Sequence, residues 1–96
     1  MNMKNPEKFK LIDGRFSTRD GREILNNVFS SKIKFHALQN FSSQERFGKD
    51  DLVAVKRIPE LKAELDEIKR LIDEAEGNGD ELEIKAEVQI WRFPKI

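Results

Sequence analysis

Between Ile58 and Ala75 the apolar residues Ile58, Leu61, Leu65, Ile68, Ile72 and Ala75 recur at alternating steps of three and four. That spacing winds one apolar stripe down an α-helix, an a/d seam of nearly three heptads, and Leu71 beside it widens the stripe. A helix carrying such a stripe must lay it against another surface. The pattern predicts a helix over 51–76. Pro59 either opens this helix near its first position or bends a helix already begun, and the apolar lead-in of Leu52, Val53 and Val55 favours the bend. Gly77-Asn78-Gly79-Asp80 supplies the stop.

After that turn the periodicity changes from helix to strand. Leu82, Ile84, Ala86, Val88 and Ile90 alternate with Glu83, Lys85, Glu87 and Gln89, which predicts a half-buried antiparallel or edge strand. Trp91 and Phe93 fall on the otherwise polar phase, so that end requires cover, and the strand is expected to run from 82 to 93 before Pro94 stops it.

The first half is less regular. Phe9 and Leu11 stand at period two, predicting a short strand that ends near Ile12, with Asp13-Gly14 as the turn behind it. Ser17 is a helix cap, and Asp20 places negative charge in the first turn. Ile24, Leu25, Val28 and Phe29 then mark one helical face. Gly21 weakens that helix by up to about 1 kcal/mol, which a neighbouring element passing close would explain. Ser30-Ser31 reads as an interruption. Ile33, Ala37, Leu38 and Phe41 predict a separate second helix over 31–43, followed by a polar loop from Ser42 to Asp51.

The expected fold is α+β: a short N-terminal strand, two or three helices including the long amphipathic one, and a long C-terminal strand. The terminal strands would pair in a two-stranded antiparallel sheet that dimerisation could extend. Ninety-six residues make one small domain over 1–96, with 1–7 as a flexible N-terminus. No apolar run is long enough to span a membrane, no secretory h-region opens the chain, and no cysteine is present. The expectation is a small soluble cytoplasmic protein.

The raw material for catalysis is thin. One histidine and no cysteine leave no metal site of the zinc type. The acidic clusters miss the glycine position of a calcium loop, and no phosphate-binding loop or nucleophile elbow occurs. Neither an enzyme nor a cofactor is expected. His36 could serve as a base or anion contact, but a lone helical histidine is more often structural.

Charge is divided unevenly. Residues 1–49 carry a net +5 and residues 50–96 a net −5. Complementary halves that pack together, within one chain or between two, account for this more simply than a nucleic-acid face does, since the total is zero. The favoured function is a non-enzymatic protein–protein interaction, regulatory or assembly module, with itself and a further protein as partners. Nucleic-acid binding through residues 30–49 is the alternative, because Lys32, Lys34, His36, Arg46 and Lys49 are interleaved there with Phe35, Phe41 and Phe47.

Dimensions favour self-association. A compact chain of this length has a radius of gyration near 13 Å, whereas the long helix would measure about 39 Å and the long strand about 40 Å. A second copy, meeting the first along Leu65, Ile68 and Ile72 or through the strand, would cover Trp91 and Phe93.

Overall fold

The computed structural model describes residues 5–95. The order is β1 (Glu7–Phe16), α1 (Thr18–Phe47), α2 (Leu52–Asn78) and β2 (Leu82–Ile90). The fold is α+β, with two helices and a two-stranded antiparallel sheet.

The strand β1 is longer than expected. Asp13 and Gly14 form no turn but continue the strand, opposite Lys85 and Ile84. Of the N-terminal stretch expected to be flexible, residues 1–4 lie outside the described residues, and Glu7 already pairs with Ile90. The register slips between Lys10 and Ile12, which face Glu87 and Ala86, so Leu11 is the extra residue of a bulge. The bulge has a consequence for the core. Phe9 and Ile12, three apart, both come to the face of Val88 and Ala86, where an unbroken strand would have paired Phe9 with Leu11. Strand β2 ends at Ile90, short of the expected 93.

Opposite charges are matched across the other face. Lys10 stands against Glu87, Asp13 against Lys85 and Arg15 against Glu83. Such cross-strand pairs each contribute roughly 0.2–1 kcal/mol and leave this face solvated.

Helix α1 runs unbroken for 30 residues, so the two expected helices are one. Serine costs only a few tenths of a kcal/mol more than a good helix former, and no glycine or proline lies between Arg22 and Phe47 to stop the chain. The helix begins at Ser17, whose hydroxyl accepts from the Asp20 amide at 3.0 Å, and ends at Gly48, whose φ of 67° suits only glycine well.

The link to α2 is four residues long and tied down by the end of α1. The amide of Asp51 donates to Asn40 Oδ1 at 2.8 Å, Ser43 Oγ to the Lys49 carbonyl at 2.8 Å, and Gln44 Nε2 to Asp50 Oδ1 at 2.7 Å. Asp51 then caps α2 by accepting from the Ala54 amide at 2.9 Å. Pro59 lies inside α2, not at its start. The helix passes Gly77 and ends at Gly79, with φ 76° and amides of Gly79 and Asp80 returning to carbonyls of the last turn.

The two helices form an antiparallel hairpin along the α2 seam. Ala54, Leu61, Leu65, Ile72 and Ala75 are buried there. At the far end of the hairpin Ile72, Ala75 and Leu82 make the core, with Leu25, Ile68 and Ile84 packed against it. Gly21 explains how the sheet gets so close. A β-carbon there would stand 2.5 Å from Leu82 Cδ1 and 3.2 Å from Ile84 Cδ1, so any larger residue would push these two side chains out of their seats on α1. Beside this crossing Arg22 spans the helices, reaching Asp73 at 2.9 Å and Glu76 at 3.4 Å. The hydrogen bond to Asp73 raises the guanidinium above its ordinary value.

The shape is open. The radius of gyration is 17.2 Å and the extents are 51 × 38 × 15 Å, against about 13 Å for a compact chain of this size.

Candidate interaction surface

The basic residues of 30–49 do not converge. Lys32 and Lys34 project about 200° apart round α1, at 100° per residue, and Lys49 belongs to the interhelical turn. Lys32 Nζ lies 4.9 Å from the Phe35 ring centroid, a cation–π contact within one helix. Asn40 and Gln44 are engaged in holding the turn. Arg46 sits in the last turn of α1, where its charge suits the helix dipole.

His36 is 5% exposed, in the seam between the helices. Its Nδ1 lies 2.9 Å from Gln39 Oε1, within hydrogen-bond distance. The Nε2 atom is buried without a partner, and the Phe35 ring meets the imidazole edge-on at 5.5 Å. A base must reach its substrate, and this one faces the protein interior. Among the described residues no three of His, Asp and Glu gather closely enough to hold a metal ion. No described helix is long and apolar enough to cross a membrane.

The residues expected to mediate self-association divide into two groups. Leu65 and Ile72 are buried within the chain, and Ile68 packs against the core. Intramolecular contacts therefore occupy the α2 seam. Trp91 and Phe93 follow the end of β2 and are exposed.

The surface that stands out has two arms. On α1, Gly21, Val28 and Phe35 lie seven residues apart and so share a face, flanked by Ile24 and Leu38. The sheet covers this face at Gly21 and then leaves it, so Phe35 and Leu38 are 52% and 59% exposed. On the sheet, the face that seats Leu82 and Ile84 continues through Ala86, Val88 and Ile90, opposite Ile12 and Phe9. Beyond the helices Phe9 and Ile90 are 51% and 49% exposed. Between them, with Pro6 and Arg92, lies a hollow of about 530 Å³.

The α1 arm was missed from sequence, although its signal was present. The seven-residue recurrence of Gly21, Val28 and Phe35 is separate from the stripe that packs on α2. Dividing α1 into two helices at Ser30-Ser31 concealed it, because the division parted Gly21 and Val28 from Phe35.

The chain matches no protein-family model, no curated protein and no solved structure.

Proposed function

We propose that this chain is a non-enzymatic interaction module, of a regulatory or assembly kind, that works as a homodimer in the cytoplasm and offers its remaining surface to another protein. The observation that carries the reading is the exposed area. The chain presents 7883 Å² to solvent, where a compact monomer of 11.2 kDa would present about 5,700 Å². The excess is about 2,200 Å². If two copies each covered half of it, the interface would bury about 2,200 Å² in total, the scale of obligate dimers.

The composition of that surface supports the same reading. Phe9, Phe35, Leu38, Ile90, Trp91 and Phe93 are large apolar side chains in water, and exposed apolar surface on this scale marks association sites. The charge-matched face of the sheet resists indiscriminate pairing and leaves the apolar face as the one to cover.

Light scattering on the purified chain tests the proposal. The expected mass is twice the 11.2 kDa of one chain. The mass of a single chain throughout the micromolar range refutes the dimer.

A further inference from the structure

We infer that two copies close on each other reciprocally, the free end of each sheet lying on the bare α1 stripe of the other. This rests on the homodimer proposed above and names its contact surfaces. At Gly21 the chain's own Leu82 and Ile84 already show how this sheet face sits on this helix face. From that crossing the two surfaces diverge, each continuing in register and each uncovered. Val28, Phe35 and Leu38 extend the helix side, and Ala86, Val88 and Ile90 extend the strand side.

The two strips match in length. Val28 to Leu38 spans ten helical steps, about 15 Å, and Ala86 to Ile90 spans four strand steps, about 13 Å. Within one chain the far residues of both strips, Phe35 and Leu38 on the helix and Val88 and Ile90 on the strand, stay exposed. A twofold axis solves this with one contact used twice, a closed and self-complementary interface.

Area selects the occupant. The excess of about 2,200 Å² over a compact monomer is the total that two copies of this chain would bury in a stable dimer. The occupant of the open surface is accordingly a second copy of this chain.

The absence of native cysteine makes disulfide trapping clean. Phe35→Cys and Val88→Cys place single thiols near the middle of each strip. Each variant is checked by circular dichroism for native helix content, the two are mixed to exchange subunits, and the mixture is oxidised. A bridge forms only where α-carbons approach within about 7 Å. The expected product is the mixed Phe35→Cys/Val88→Cys dimer, several-fold above either self-linked dimer. Predominant self-linking of Phe35→Cys would indicate helix against helix, and of Val88→Cys sheet against sheet. Either result, or no bridge in a mixture that light scattering shows to be dimeric, overturns the reciprocal contact while leaving the dimer standing. A single-chain mass for the unmodified protein overturns both.

Discussion

Ile72 and Leu71 are adjacent in α2, yet one is 1% and the other 57% exposed. Truncating each to alanine removes three carbons. At about 0.8 kcal/mol per buried carbon the transfer loss at Ile72 is about 2.4 kcal/mol. Ile72 is enclosed by Ala75, Leu82, Leu25, Ile68 and Ile84, so a cavity remains. At about 24 cal/mol per Å³ the cavity brings the cost to about 3–5 kcal/mol. Leu71 buries less than half of its side chain and leaves no enclosed void, so its loss is about 1 kcal/mol. Against a total stability of about 5–15 kcal/mol, Ile72→Ala removes about a fifth or more. Urea unfolding of the two variants at one protein concentration measures the difference, provided the slope m is unchanged. Losses of similar size at both positions would refute the packing of α2 described above.

Two further substitutions probe local geometry. Gly21→Ala should lower the urea midpoint, because overpacking against Leu82 and Ile84 at about 1–3 kcal/mol outweighs a helix gain of about 1 kcal/mol; Gly77→Ala, with open space around it, should raise stability by about 0.4–1 kcal/mol. A midpoint for Gly21→Ala above wild type would show that the strand does not press on α1. Asp51→Ala removes the cap of α2 and should cost about 0.5–2 kcal/mol, and an unchanged midpoint would show that the Ala54 amide does not depend on that carboxylate.

The features legible in the sequence were those decided by local pattern. The seam from Ile58 to Ala75 and the alternation from Leu82 to Ile90 each fix an element, because each repeat is long and tied to one face. The Ser17 cap and the glycine-rich stop after α2 follow from chain-end chemistry. What escaped was decided by partners. Ser30-Ser31 did not break α1, since serine is a poor breaker when the flanking turns pack on α2. Asp13-Gly14 stayed in the strand because β2 supplies pairing there. The Leu11 bulge depends on which residues of β2 lie opposite, which no single-strand pattern reveals. The basic residues of 30–49 are spread out for a similar reason: Lys32 and Lys34, close in the sequence, leave the helix about 200° apart, while Asn40 and Gln44 are engaged by the turn. Gly21 is the instructive success. Its cost to the helix predicted a close neighbour, and that neighbour is Leu82.

Trp91 is the single tryptophan of the chain and is half exposed at the free end of the sheet, where a second copy would cover it. Acrylamide quenching of its fluorescence, followed through serial dilution from high micromolar concentration, tests that cover directly. Weak quenching is expected in the concentrated protein, rising on dilution to that of an open indole as the mass falls from that of two chains to that of one. Quenching that is strong and constant at every concentration, with the mass of one chain throughout, would contradict the dimer.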